Sequence, residues 1–184
     1  MKKIIENALK NNQLIGVNTV DLEWDESIIG FITKIDKTSF IINEIDEYGR
    51  LIGYTTLRFE SIVKLEYGDR YQNRLAFLYE NASSFDSKIR NTYWLENEPL
   101  YQQISNVEFK KSILTLFFDD NEYVTGFIES IDEKITIFKN IGSEGDEDGY
   151  SCFKTENILG FRVNDLNEQR IKLLFENRSS FYVK

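Results

Sequence analysis

Gly30-Phe31-Ile32-Thr33-Lys34-Ile35-Asp36 returns 96 positions later as Gly126-Phe127-Ile128-Glu129-Ser130-Ile131-Asp132. At the same offset Gly53-Tyr54 falls on Gly149-Tyr150, Glu80-Asn81 on Glu176-Asn177, and Ser83-Ser84-Phe85 on Ser179-Ser180-Phe181. No gap is needed between residues 30 and 85, and 20 of these 56 positions are identical. Self-similarity at one fixed period marks a duplicated structural unit. The 184 residues therefore read as two units, 1–88 and 96–184, each large enough to form one hydrophobic core.

The same order of elements can be read in both copies. Ile4, Ile5, Ala8 and Leu9 lie at helical spacing, which predicts a helix over Lys3–Lys10. Its counterpart is predicted over Pro99–Ile104, with Pro99 in the first turn behind Asn97. Five strand-like runs follow. The first is Val17–Trp24 in one copy and Ile113–Phe118 in the other, the second Ile28–Ile35 and Val124–Ile131, the third Ser39–Ile45 and Ile135–Ile141. A polar loop with glycine comes next, Asp46–Gly49 or the longer Gly142–Gly149. Tyr54–Phe59 and Tyr150–Thr155 form the fourth strand, and a three-residue turn, Glu60–Ile62 or Glu156–Ile158, leads to the fifth. Asp69 and Asp165, each three residues before Gln72 or Glu168, head a closing helix as an Asp variant of the capping box. Tyr71, Leu75, Leu78 and Tyr79 form its apolar face in the first copy, and Ile171, Leu174 and Phe175 in the second. Asp86–Glu96 joins the units without Gly or Pro, and Trp94 and Leu95 predict that this joint packs.

A helix, then five short strands with a tight turn before the fifth, resembles a small barrel of the Sm-like or SH3-like type. Gly30, Ile32, Ile35 and Asp36, like Gly126, Ile128, Ile131 and Asp132, match the first Sm motif. Leu57-Arg58 through Ile62-Val63 and Phe153-Lys154 through Ile158-Leu159 follow the second motif except at its glycine. The resemblance implies a mainly β fold with flanking helices: two tandem five-stranded barrels, each with an N-terminal helix and a closing helix. Its RNA-binding members read bases through an Asn that is here Phe40 or Thr136. The glycine after the Arg is here Phe59 or Thr155. A degenerate RNA-binding protein is therefore the second functional reading.

Composition narrows the function. The chain has no His, so Ser-His and Cys-His pairs and His-based metal sites are excluded. The single Cys152 excludes a disulfide framework and a thiolate zinc site. There is no phosphate-cradling glycine loop. Asp36 and Asp132 recur, but an Asp opening a hairpin turn is the ordinary use of that residue. A non-enzymatic protein without a cofactor is expected. Glu6, Asn7 and Lys10 interrupt the apolar start of the chain, so a cytoplasmic protein without a membrane span is expected.

The net charge is −9, of which −2 falls on residues through Thr92 and −7 beyond. A sequence-independent phosphate binder needs a basic stripe, so nucleic acid is disfavoured. The acidic second copy fits a basic protein partner, and it also fits a role in solubility alone. The first reading makes the protein an interaction module, of an inhibitor or immunity type or an adaptor. Its candidate surface is the acidic loop with Glu144, Asp146, Glu147 and Asp148, which lacks the ligand spacing of a calcium loop. Arg74 and Arg170 with Glu80 and Glu176 recur on the closing helices. They form either a plain helix surface before a left-handed Asn cap at Asn81 and Asn177, or a recurring recognition surface. Tyr48, Tyr54, Tyr67, Tyr71 and Tyr79 add an aromatic excess in the first copy, suited to core packing or to an interface.

Overall fold

Ile28–Ile35 and Ser39–Ile45 are rich in β-branched residues, and both are strands with the predicted bounds. The computed structural model describes residues 1–85, 91–95, 100–104, 109, 111–119 and 122–181. It is mainly β, and the chain divides into two units, Met1–Ser83 and Ser84–Lys184.

The first unit runs α1 (Lys2–Asn11), β1 (Leu14–Thr19), β2 (Ile28–Ile35), β3 (Ser39–Ile45), β4 (Leu51–Arg58), β5 (Ile62–Tyr67) and α2 (Arg70–Glu80). A 3₁₀ turn, Phe59–Ser61, joins β4 to β5. The sheet is antiparallel with order β4-β3-β2-β1-β5. The second unit contains β6 (Asn91–Trp94), α3 (Leu100–Ile104), β7 (Leu114–Phe117), β8 (Tyr123–Ile131), β9 (Ile135–Ile141), β10 (Glu147–Lys154), β11 (Gly160–Val163) and α4 (Leu166–Glu176). Its order is β10-β9-β8-β7-β11-β6, with the 3₁₀ turn Thr155–Asn157 before β11.

The repeat is carried by shared geometry. Gly30 lies opposite Glu44 and Gly126 opposite Asn140, positions again 96 apart. A Cβ on Gly30 would stand 2.0 Å from the Asn43 carbonyl oxygen, and one on Gly126 1.9 Å from that of Lys139. Only glycine lets these strands approach so closely. Three residues further on the register slips by one in both units, between Ile32 and Lys34 and between Ile128 and Ser130. Such a bulge bends a strand and increases its twist. The tips of the β3–β4 and β9–β10 turns hold Gly49 and Gly145 at φ 75° and 74°. A Cβ there would strike Tyr79 N at 2.3 Å or Leu174 Cβ at 2.6 Å, so each turn is seated against the closing helix.

The cores correspond as well. Ile5 and Ala8 of α1 pack with Ile15, Val17, Ile32, Phe40, Ile42, Leu57 and Ile62. In the second unit Ile104 packs with Leu114, Leu116, Ile128, Phe138, Ile158, Phe161 and Val163. Burying a side chain of this size stabilises by roughly 1.5–3 kcal/mol. α1 stops at Asn12, whose left-handed backbone (φ 47°) lets its N–H reach the carbonyls of Ala8 and Leu9.

Five expectations need correction. Neither sheet closes into a barrel among the described residues, because the outer strands β4 and β10 pair on one side only. The second sheet has six strands, since the joint supplies β6, antiparallel to β11. The first strands are β1 at Leu14–Thr19 and β7 at Leu114–Phe117. Ile15 meets Gly30 and Leu114 meets Gly126, an offset of 99, so the connection before the second strand is three residues shorter in the second unit. The acidic loop is also shorter than expected: Glu147, Asp148 and Gly149 already belong to β10. Finally, Asn81 and Asn177 are not left-handed, with φ −110° and −109°. Each instead donates its side-chain amide one turn back, to the carbonyl of Phe77 or Leu173. Pro99 and Asn97, at the predicted start of α3, lie outside the described residues.

Candidate functional site

The closing helices bury the apolar residues that spacing predicts, Leu75 and Leu78 in α2 and Ile171 and Leu174 in α4, together with polar side chains beside them. In α2 Tyr71 is exposed, whereas Gln72, Arg74, Leu75 and Leu78 are buried. In α4 the buried set is Glu168, Arg170, Ile171 and Leu174. Arg74 and Arg170 are 4% and 6% exposed, so the repeated arginines belong to the interior rather than to a recognition surface. Glu176 is exposed and pairs with Lys172 one turn back at 3.9 Å, and Glu80 is exposed at the end of α2.

The acidic hairpin is held by its own unit. Arg170 meets Glu144 at 3.2 Å. Glu147 meets Lys139 at 2.9 Å and Arg178 at 3.3 Å. The hydrogen bond from Lys139, helped by the charges of Lys139 and Arg178, holds the Glu147 carboxyl below its ordinary pKa. Asp146 closes the turn through its carbonyl, which accepts from Gly142 N, and Asp148 is exposed on β10. Two of the four carboxylates thus serve as internal ion-pair partners.

The positions that carry RNA contacts in Sm-like proteins are used internally here. Phe40 is fully buried, with its ring 5.3 Å from that of Phe59. In the second unit Thr136 is fully buried, and its hydroxyl lies 3.0 Å from that of Thr155. An aromatic pair in one copy is replaced by a hydroxyl pair in the other. Asp132 accepts from the backbone N–H of Ile135 at 2.8 Å and of Lys134 at 2.7 Å, which holds its pKa down. It is the turn residue that its position predicts.

A cleft that sequence reasoning missed lies where the short β7–β8 connection meets the 3₁₀ turn before β11. It has a volume of about 790 Å³ and is lined by Phe118, Tyr123, Phe153 and Leu159. The rings of Phe118 and Phe153 lie 4.6 Å apart, tilted by 47°. Tyr123 and Leu159 are exposed although apolar. Two exposed carboxylates, Glu122 and Glu156, share this lining. Glu156 is 3.5 Å from Lys154, with both side chains mostly in water. Such a surface can hold an apolar group while its carboxylates meet a cation.

In the first unit the corresponding connection is three residues longer and is folded down by its own bonds. Asn18 Nδ2 donates to the carbonyls of Glu23 and Glu26, both at 2.6 Å, and Val20 N donates to that of Ser61. Lys64 donates to the Trp24 carbonyl at 2.9 Å and lies 5.2 Å from the centre of the Trp24 ring. The sequence signal that would locate the cleft is this difference in loop length, visible only once β1 and β7 are registered at 99. No family model, curated protein or solved structure matches this chain.

Proposed function

We propose that the chain is a cytoplasmic, non-enzymatic protein-interaction module, an inhibitor or adaptor, whose second unit docks a basic partner. Each unit is an open, bent sheet of the Sm-like or SH3-like type. The order β4-β3-β2-β1-β5, the helix ahead of it and the 3₁₀ turn before the last strand support that reading. No helix among the described residues is long and apolar enough to cross a membrane.

The observation that carries the function is the cleft of Phe118, Tyr123, Phe153 and Leu159 beside Glu122 and Glu156. Its occupant is an extended basic segment, with an apolar side chain on the rings and an Arg or Lys facing the carboxylates. The burial of Phe40 and the Thr136–Thr155 pair speaks against base recognition at the Sm motif positions. Titration of ¹⁵N-labelled protein with a peptide alternating Arg and Leu tests the proposal, beside a Glu/Leu peptide and a poly-U oligonucleotide. The basic peptide is expected to shift the amides of Tyr123, Phe153 and Leu159, and Glu122→Gln with Glu156→Gln to weaken it. Equal response to the acidic peptide would refute the docking site. Tight, salt-sensitive binding of poly-U would instead establish the RNA reading, whose expected affinity under this proposal is only ~10⁻⁴–10⁻⁶ M.

A further inference from the structure

Among the described residues β4 pairs on one side only, and its sequence is unlike that of an ordinary outer strand. Leu51-Ile52-Gly53-Tyr54-Thr55-Thr56-Leu57 is seven residues with no charge and no proline. Leu51, Ile52 and Tyr54 are 54%, 62% and 75% exposed. From Gly53 to Arg58 the strand stays in unbroken register with β3, so six consecutive residues present a regular edge. Thr55 turns its hydroxyl to the Glu44 carboxylate of β3, inside its own sheet. Outer strands are normally blunted by charges, proline, bulges or a covering segment, because their free N–H and C=O groups attract another strand.

The outer strands β10 and β5 carry such protection, and β6, the outer strand at the far side of the second sheet, is only four residues long. β10 opens with Glu147 and Asp148 and kinks at Gly149 (φ 74°), while its register break between Glu147 and Tyr150 has a counterpart in β4 between Leu51 and Gly53. β5 carries Lys64 and Glu66, paired at 3.2 Å. β11 is covered by β6, whose Tyr93 stacks on Phe161 at 4.7 Å and whose Trp94 sits against Gly160. This unit type therefore accepts an added antiparallel strand at an edge, supplied in that case by the same chain.

We infer that β4 is a self-association strand: two copies of this chain pair antiparallel through Gly53–Leu57 about a two-fold axis. Antiparallel pairing of a strand with itself is isologous, so it closes at two copies. It opposes no like charges, since none lies between Leu51 and Leu57. In this register Tyr54 lies opposite Thr56 of the second copy and diagonal to its Tyr54, and Ile52 lies opposite the stem of its Arg58, so apolar surface loses water on pairing. This inference concerns the first unit and does not depend on the basic partner proposed for the second.

Sedimentation equilibrium of the full chain over micromolar to submillimolar concentration tests it. A monomer–dimer equilibrium is expected, with amides of Gly53–Leu57 protected from hydrogen exchange at high concentration. Ile52→Lys with Tyr54→Lys should weaken association by roughly tenfold or more, as edge lysines do. Both side chains are exposed, so an unchanged Trp24 emission and circular dichroism spectrum will show that the variant is folded. Tyr150→Lys on β10 should leave association unchanged. A strict monomer at every concentration, or a dimer indifferent to the β4 lysines, would overturn the proposal. Growth beyond two copies would overturn it too, because it signals head-to-tail pairing of β4 with another edge.

Discussion

Replacing Glu168 by alanine takes one acceptor from four donors at once. Its carboxylate accepts from Arg162 Nε at 3.0 Å and Nη2 at 2.9 Å, from the Thr115 hydroxyl at 2.5 Å, and from Asp165 N at 3.0 Å. The Glu168 side chain is 1% exposed, whereas Arg162 keeps 25% of its side chain in water. Breaking a buried pair by removing one partner costs about 3–5 kcal/mol. Arg162 can rehydrate in part, which points to the lower end. Loss of one arm of the capping box adds roughly 0.5–1 kcal/mol, for a total of about 3–4 kcal/mol. Glu168→Gln keeps the shape and one acceptor and loses only charge assistance, so about 1–2 kcal/mol is expected. The two tryptophans fall one in each unit, Trp24 in the first and Trp94 in the second. Urea unfolding followed by Trp94 emission in a Trp24→Phe background therefore reads the second unit alone. Glu168→Ala costing under about 1 kcal/mol at unchanged m, or Gln costing as much as Ala, would refute the reasoning.

Asp69→Ala and Asp165→Ala should each destabilise their own unit by about 0.5–2 kcal/mol, read by Trp24 and Trp94 respectively. Asp69 accepts from Gln72 N at 2.7 Å, and Asp165 from Leu166 N at 2.8 Å within a full capping box, so the second loss should be the larger. Asp132 has a folded-state pKa below its ordinary 3.8, so its stabilisation is complete above that value and fades as pH falls through the folded value. Asp132→Asn should therefore flatten the acid limb of the stability profile below about pH 4 and leave its slope above about pH 5 unchanged.

Strands and caps were legible because each is a local pattern. Ser39–Ile45 and Ile135–Ile141 alternate, and Asp69 and Asp165 stand three residues ahead of polar side chains that favour a first helical turn. In α2 and α4 apolar spacing finds Leu75, Leu78, Ile171 and Leu174 but not the polar share of the inner face, since it places Tyr71 inside and Arg74 outside. Burial here is decided by partners far off in sequence: Arg170 reaches Glu144, and Glu168 accepts from Thr115. β6 was missed because Asn91–Trp94 is too short to alternate, and its strand character comes from lying against Phe161 and Gly160. The cleft was missed for a related reason. Its walls come from a loop and a turn far apart in sequence, and neither is apolar enough alone to stand out.

The duplication also separates what the scaffold needs from what each unit adds. Inside, exchanges come in neighbouring groups. Phe40 with Phe59 becomes Thr136 with Thr155, because a buried ring needs a ring and a buried hydroxyl needs a second hydroxyl. Gly16, Glu66 and Gln72 become Thr115, Arg162 and Glu168. In the first unit Glu66 turns instead to Ser27 at 2.9 Å and Lys64 at 3.2 Å. These differences lie inside each unit and say nothing about partners. At the edges no such compensation operates. The second unit covers β11 with β6 and charges β10, while the first leaves β4 without charge from Leu51 to Leu57 and, among the described residues, unpaired on its outer side. Tyr54 and its counterpart Tyr150 are both exposed, whereas Ile52 has Asp148 in its place, so the uncharged edge is particular to the first copy. Under the two proposals made above the units divide the work, the first joining copies of the chain and the second docking the basic partner.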